Sequence, residues 1–185
     1  MSKVNFYLTG FMASGKSTIG PIVANTLGWD FFDLDKEIVK KERRTIKKIF
    51  KENGEEYFRQ LEIETLNELS AQKFSIISLG GGTLTNQKNR KVIKATGKLI
   101  YLESSIEVAF RRLKNKRDRP VLLSDNEDEQ TEVTIYNKIE ILFNERRKYY
   151  EEADYTFNTD VDPIGTTVDK IACLIQKFSN HNPSA

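Results

Sequence analysis

The sequence predicts a three-layer α/β/α fold, with helices on both faces of a central five-stranded parallel sheet. Short β-prone runs alternate with longer helical segments along the chain, and strands that are separated by helices form parallel sheets. A glycine-rich turn joins the first β-prone run directly to the first helix. The 185 residues contain no visible repeat or linker and are enough to build one core. We therefore expect a single domain over residues 1–178, followed by a frayed polar tail over 179–185.

The elements follow from the spacing of apolar residues and from the residues that interrupt it. In chain order, they are a strand at 4–8, a helix at 16–27, a strand at 29–32, a charged helical stretch that reaches Phe50, a helix at 55–71, a strand at 74–79, a helix at 87–95, a strand at 98–102, a helix through Val108 and Leu113, a helix at 133–151, a strand at 155–158 and a helix at 164–178. Gly28 and Asn53-Gly54 end helices, and Ser104 or Ser105 can cap one. The acidic, turn-rich part of segment 114–130 lacks such spacing and is predicted to be a mobile lid.

The composition excludes several classes of protein. A net charge of +2 gives no strong field for binding nucleic acid or an acidic membrane surface. The single Cys173 excludes an internal disulfide and a cysteine-rich metal site, and we expect this thiol to lie in the core. No apolar run approaches the roughly 18 residues that span a bilayer, and no signal peptide is visible. We therefore expect a cytoplasmic enzyme that binds neither nucleic acid nor membrane.

Residues 10–17 carry the clearest functional signal. They read Gly-Phe-Met-Ala-Ser-Gly-Lys-Ser and match the phosphate-binding pattern G-x-x-x-x-G-K-[ST] in its proper place, after a strand and before a helix. Glycines let successive amides point into one concavity, to which the helix adds the positive end of its dipole. Lys16 can reach the β- and γ-phosphates, and the Ser17 hydroxyl can ligate Mg²⁺. The nucleotide-binding residues predicted in this loop are Gly10, Ala13, Ser14, Gly15, Lys16, Ser17 and Thr18.

Two further groups of residues follow the next strands of the predicted sheet. Asp33 and Asp35 come after the second strand, and the triple glycine 80–82 comes after the third. Parallel strands present their carboxyl ends at one edge, which is where ligands bind in open α/β sheets. The phosphate loop, the two aspartates and the glycines are therefore expected to form one site.

Five motifs together resemble the shikimate kinase family over nearly the whole chain, from Val4 to about Phe178. They are Gly-Phe-Met-Ala-Ser-Gly-Lys-Ser-Thr-Ile-Gly at 10–20, Phe-Asp-Leu-Asp at 32–35, Phe-Arg-Gln-Leu-Glu at 58–62, Ser-Leu-Gly-Gly-Gly at 78–82 and Arg-Pro-Val-Leu at 119–122. The phosphate loop alone is shared by many enzymes, whereas the other four motifs at these spacings are more specific. The resemblance implies the P-loop kinase fold, a monomer, and Mg²⁺-dependent transfer of phosphate from ATP to the 3-hydroxyl of shikimate.

The resemblance assigns roles to the two aspartates. Asp33 is expected to support Mg²⁺, together with Ser17. Asp35 is expected to hydrogen-bond the acceptor hydroxyl, either as a general base or as an orienting group. Because the two residues are two positions apart, both carboxylates would point the same way from an extended strand end. The competing interpretation is that this pair only caps a helix.

The resemblance also implies how shikimate is held. Arg59 would grip the substrate carboxylate with its fork of donors, and Glu62 would hold the guanidinium. Without the resemblance, the two would be read as a surface ion pair. Arg146 matches the second carboxylate-binding arginine, although Lys148 replaces the usual proline and Arg147 stays an alternative. Gly81 matches the position whose backbone approaches the substrate.

The remaining implied residues belong to the nucleotide. Arg119 matches the arginine of the lid that closes over the phosphates, and Arg117 could compete for that role. Arg112 matches the arginine that stacks on adenine, and segment 158–163 lies where the family wraps the base. Two alternatives stay open at this point: another small-molecule kinase of the same fold, such as a gluconate or nucleoside-monophosphate kinase, and a nucleotide-binding regulator without catalysis.

Overall fold

The computed structural model describes residues 4–114 and 132–181 and contains the predicted three-layer architecture. The strands are β1 Asn5–Thr9, β2 Asp30–Asp33, β3 Ser75–Ser78, β4 Gly97–Glu103 and β5 Tyr155–Asn158. The helices are α1 Lys16–Leu27, α2 Leu34–Glu42, α3 Ile46–Ser70, α4 Gln87–Thr96, α5 Ile106–Lys114, α6 Glu132–Tyr150 and α7 Ile164–His181, with a 3-10 turn at Thr83–Thr85. All strand pairs are parallel, in the order β2-β3-β1-β4-β5. The predicted fold class is confirmed.

The sheet separates two apolar layers because neighbouring side chains of a strand point to opposite faces. Phe6 and Leu8 of β1 pack with α1 and α7 on one face, whereas Tyr7 packs with α2, α3 and α6 on the other. Both faces of the central strands are therefore buried, as expected for a parallel sheet covered by helices. None of the helices in the described ranges combines the length and apolar character needed to cross a membrane.

The prediction that the charged stretch forms one helix ending near Phe50 is wrong in one respect. It consists of two helices, because α2 ends at Arg43 in the left-handed region (φ 53°). A new helix, α3, then begins after Thr45. The Thr45 side chain accepts a hydrogen bond from the amide of Lys48 and so acts as the N-cap of this helix. The predicted break at Gly54 is present as a kink inside α3 (φ 82°).

Cys173 is exposed rather than in the core, so that expectation is wrong. Its neighbours Ile171, Ala172 and Ile175 occupy the buried stripe of α7. Cys173 is two positions from Ile171 and two from Ile175. It therefore faces away from these buried residues, on the other side of the helix.

Candidate active site

A cavity of about 1080 Å³ opens beyond the carboxyl ends of the central strands, where the sequence places the site. Its lining includes these predicted site residues: Ala13, Ser14, Gly15, Lys16, Ser17, Thr18, Asp33, Asp35, Gly81, Arg112 and Arg146. Gly10 and Arg59 are not part of its lining, although Gly10 accepts a hydrogen bond from the lining residue Lys16. Arg117 and Arg119, with most of the predicted lid, lie outside the described residues. One cavity therefore brings together residues from the phosphate loop, from β2–α2, from the glycine turn and from α6.

The phosphate loop turns sharply before α1 begins. Gly10 has φ 148°, and a Cβ there would lie 2.5 Å from the carbonyl oxygen of Leu102. Gly15 also has a positive φ (101°) and precedes α1 without any side-chain cap. The first amides of α1 are consequently positioned to donate to an anion. Ala13 shares the left-handed region (φ 61°), a strained conformation for alanine that is typical of ligand-binding loops.

Lys16 lies across the mouth of this loop. Its Nζ donates to the carbonyl oxygens of Gly10 at 2.6 Å and of Phe11 at 3.1 Å. The ammonium is thus held beside the amides that would surround a phosphate. The loop therefore holds a positive charge at a position where it could contact the phosphates of a nucleotide.

Asp33 and Asp35 do not lie together on an extended strand end, so that part of the expectation is wrong. Asp33 ends β2 and caps α2, since its Oδ1 accepts from the amide of Lys36 at 3.2 Å. Asp35 already belongs to the first turn of α2. Its Oδ1 would lie 2.8 Å from a Cβ on Gly80, so the carboxylate packs directly on the glycine turn. Both carboxylates nevertheless line the cavity.

Arg59 is held by carboxylates on two sides. Its Nη1 donates to Glu62 at 3.0 Å, while its Nε and Nη2 donate to the exposed Glu55 at 3.2 and 3.0 Å. The Glu62 side chain is 2% exposed and also accepts from the hydroxyl of Thr83 at 2.6 Å. Burial by itself would lower the pKa of Arg59, but Glu62 and then Glu55 raise it above its ordinary value. A buried carboxylate with two strong donors keeps the guanidinium in one orientation.

The triple glycine lets these side chains approach the turn. A Cβ on Gly82 would lie 3.1 Å from Nη2 of Arg59, and a Cβ on Gly81 would lie 3.2 Å from Nη1 of Arg146. Side chains at these two positions would therefore press against both guanidinium groups. The turn between β3 and α4 is thus where the two arginines converge.

The structure distinguishes Arg146 from its neighbour Arg147. Arg146 lines the cavity. Arg147 is 58% exposed and donates to Glu151 at 2.6 Å, one turn along α6. Lys148 in place of the usual proline leaves α6 unbroken to Tyr150. Of the two candidates, only Arg146 can meet a ligand in this cavity without rearranging.

Arg112 connects the phosphate loop to the loop that follows β5. Its Nη1 donates to the carbonyl of Ala13 at 3.1 Å and its Nη2 to that of Thr159 at 3.0 Å. Asp160, beside it, accepts from the hydroxyl of Ser104 and the amide of Ser105, both at 2.7 Å. Burial by itself would raise the pKa of Asp160, but these hydrogen bonds and the charge of Arg112 bring it below its ordinary value. The loop after β5 is therefore fixed against the phosphate loop.

Sequence reasoning missed several residues of the site. Ile46 and Phe50 add apolar surface to the cavity from the start of α3, and Phe50 packs on Phe58 with ring centroids 4.8 Å apart. Thr83 and Tyr150 contact the predicted residues from behind. Only Thr83, directly after the glycines, had a position in the sequence that could have drawn attention to it.

Comparisons with known proteins identify the family of this chain. The family model for shikimate kinase matches residues 12–176. A shikimate kinase from Chloroherpeton thalassium is 41% identical over 176 residues, which cover 95% of this chain and 94% of that protein. The structure of a shikimate kinase from Acinetobacter baumannii in complex with shikimate is 34% identical, with a TM-score of 0.84 over 95% of this chain and 94% of that one.

A gluconokinase from Sinorhizobium meliloti shares the fold alone. It is 12% identical, with a TM-score of 0.61 over 97% of this chain and 95% of that one. The family match, in contrast, covers residues 12–176 and so includes most of the phosphate loop, both aspartates, the glycine turn and both arginines within its range. The chain belongs to the shikimate kinase family.

Proposed function

We propose that this protein transfers the γ-phosphoryl group of ATP to the 3-hydroxyl of shikimate, giving shikimate 3-phosphate and ADP. This reaction is a step toward chorismate and the aromatic amino acids. One observation carries the proposal: a single cavity joins a phosphate-binding loop to a glycine turn on which two arginines converge, with Arg146 in the cavity lining and Arg59 at the same turn. A kinase for a carboxylated polyol needs both. The relative from Acinetobacter baumannii, whose structure contains shikimate, supports the choice of acceptor.

The loop before α1 would hold the phosphates of ATP. Its amides and the Lys16 ammonium would surround the β- and γ-phosphates and stabilise the charge that develops during transfer. Arg112, which already contacts this loop, would lie against adenine. Arg119 is proposed to close over the phosphates and exclude water, which would otherwise accept the phosphoryl group.

Mg²⁺ fits the donor atoms of this cavity. Ser17 offers a hydroxyl and Asp33 a carboxylate, and both line the cavity. Mg²⁺ in kinases is held by one or two such oxygens together with substrate phosphates and water, without an all-protein cage. The described residues contain no group of three or more His, Cys, Asp or Glu side chains that could hold a metal. When bound there, the ion would neutralise negative charge on the phosphates of ATP.

The other wall of the cavity would hold shikimate. Arg59 and Arg146 would bind its carboxylate from two sides of the glycine turn, with the Gly81 backbone beneath the ring. Asp35 would accept a hydrogen bond from the 3-hydroxyl and keep that oxygen in line with the γ-phosphorus. The P–O bond to ADP breaks as the bond to the shikimate oxygen forms, and the hydroxyl proton leaves toward Asp35. These roles are mutually compatible because the side chains of Asp35, Arg59 and Arg146 all lie against the same glycine turn.

A coupled assay of ADP release tests the proposal. Purified protein is given ATP, Mg²⁺ and, in turn, shikimate, gluconate and a nucleoside monophosphate. We expect turnover only with shikimate and much weaker turnover with an analogue whose carboxylate is replaced by a primary alcohol. Turnover with gluconate or the monophosphate instead would support another small-molecule kinase. Folded protein that binds ATP without turning over any acceptor would indicate a regulator.

Arg59→Ala is expected to raise the KM for shikimate about 30-fold or more and to change the KM for ATP little. The substitution removes two hydrogen bonds that the guanidinium would donate to the carboxylate of shikimate, each worth about 1.5–3 kcal/mol. It also leaves the buried Glu62 without its cation, so we expect a lower Tm. The two KM values are measured by initial rates with the other substrate saturating.

Glu55→Ala is the matched control for Arg59→Ala. Glu55 is 65% exposed, and an exposed pair one helical turn apart contributes little. Its loss should leave the KM for shikimate equal or slightly lower, because Glu55 occupies donors of Arg59 that the substrate would use. An unchanged KM in Arg59→Ala would rule out carboxylate binding by this arginine.

A cytoplasmic location and a monomeric state belong to the same proposal. The low net charge and the single cysteine support the first, and the family resemblance supports the second.

A further inference from the structure

We propose that Tyr150 is a positioning residue for shikimate, because its hydroxyl fixes the Gly81 backbone and the Arg146 guanidinium relative to each other. The inference rests on the proposed function and adds a residue that does not itself touch the substrate. It links the two elements of the acceptor site that come from distant parts of the chain, the glycine turn and α6.

The contact geometry centres on one hydroxyl. Tyr150 donates to the carbonyl oxygen of Gly81 at 2.6 Å, across 69 positions of sequence. A Cβ on Gly81 would lie 3.8 Å from that hydroxyl and 3.2 Å from Nη1 of Arg146. The phenol, the guanidinium and the Gly81 backbone therefore meet at one point. A shift of any one of them would displace the other two.

The ring of Tyr150 has little freedom to move. The residue is 1% exposed and stacks on Tyr101 of β4, with centroids 5.4 Å apart and planes at 25°. Such a stack ties the end of α6 to the sheet. The hydroxyl is thus placed by the fold itself and can serve as a fixed hydrogen-bond partner for the groups around it.

The protonation of the phenol suits this role. Burial raises the pKa of Tyr150 to about 12, although the charge of Arg146 and a hydrogen bond with it act in the opposite direction. The phenol therefore keeps its proton at neutral pH and donates it to the Gly81 carbonyl. Its oxygen still has lone pairs for a donor from Arg146.

Helix geometry makes the link to Arg146 direct. Residues four apart lie on the same face of a helix, so Arg146 and Tyr150 both face the glycine turn. Arg147, one position later, faces outward and pairs with Glu151. An arginine side chain has several rotatable bonds, and a fixed partner reduces the entropy that it loses when a carboxylate binds.

Tyr150→Phe tests the inference because it keeps the stacked ring and removes only the hydroxyl. We expect the KM for shikimate to rise about tenfold, as for the loss of one hydrogen bond to a charged group. The KM for ATP should stay within about twofold of the wild-type value. Tyr149→Phe is the matched control: Tyr149 packs under Arg90 outside the cavity, and its variant should keep both KM values.

A double-mutant cycle with Arg146→Ala tests whether Tyr150 acts through Arg146. If it does, most of the effect of Tyr150→Phe disappears once Arg146 is absent. The KM for shikimate does not depend on the fraction of enzyme that is active. The comparison of KM values between variants and wild type therefore stays valid even if Tyr150→Phe lowers the Tm.

Three outcomes would overturn the inference. An unchanged KM for shikimate in Tyr150→Phe would show that the hydroxyl only supports the fold. Equal rises in both KM values would show a general loosening of the cavity, and fully additive effects in the cycle would separate Tyr150 from Arg146. A wild-type protein that does not phosphorylate shikimate would instead overturn the proposed function, and the inference with it.

Discussion

Lys16→Met is expected to lower kcat for shikimate phosphorylation by about 10²–10³-fold while the fold stays intact. Methionine keeps much of the length and apolar volume of lysine and removes its charge. The charge that develops on the transferred group would lose its nearest protein cation, and single preorganised donors in such sites contribute about 10²–10³ in rate. Initial rates of ADP release at saturating substrates give kcat, and far-UV circular dichroism checks the fold.

Lys51→Met is the control for this substitution. Lys51 lies on the exposed surface of α3, so its variant should keep wild-type kcat. A kcat within tenfold of wild type would contradict the proposed role of Lys16.

Asp35→Asn is expected to lower kcat by about 10²–10⁴-fold, the range that a positioned acid or base contributes. Asparagine preserves the shape of the side chain and its place against Gly80, but it cannot accept the proton of the 3-hydroxyl. We expect the KM for shikimate to change less than kcat. Steady-state kinetics with varied shikimate separate the two parameters.

Asp30→Asn serves as the control for Asp35→Asn. Asp30 begins β2 at an exposed position, and its substitution should leave both parameters unchanged. If Asp35→Asn raises only the KM and keeps kcat, then Asp35 binds the acceptor without taking part in the transfer. That result would decide between the two roles that sequence reasoning left open.

The phosphate loop and the sheet could be predicted because their signals are local. Glycines, a lysine and a serine at fixed spacing state the chemistry of the loop without reference to the rest of the chain. The alternation of β-prone and helical segments is equally direct, and it gave five parallel strands within about two residues of their ends. The family resemblance then selected Arg146, and the cavity agrees with that choice over Arg147.

The errors and omissions arise where distant contacts decide. The expectation that Asp33 and Asp35 share an extended strand end is wrong because α2 already starts at Leu34, with Asp33 as its cap. The turn at Arg43 has neither glycine nor proline to announce it. Tyr150 acts on a carbonyl 69 positions away, and Cys173 lies beside the buried stripe rather than in it. Such facts depend on how elements pack, which spacing along the chain does not contain.

The order of the strands has a consequence for protein engineering. β1, at the centre of the sheet, carries the phosphate loop, and the acceptor wall comes from β2, β3 and the helices beside them. A library that varies Ile46 and Phe50 would therefore change the apolar lining that α3 adds to the cavity without altering the phosphate loop.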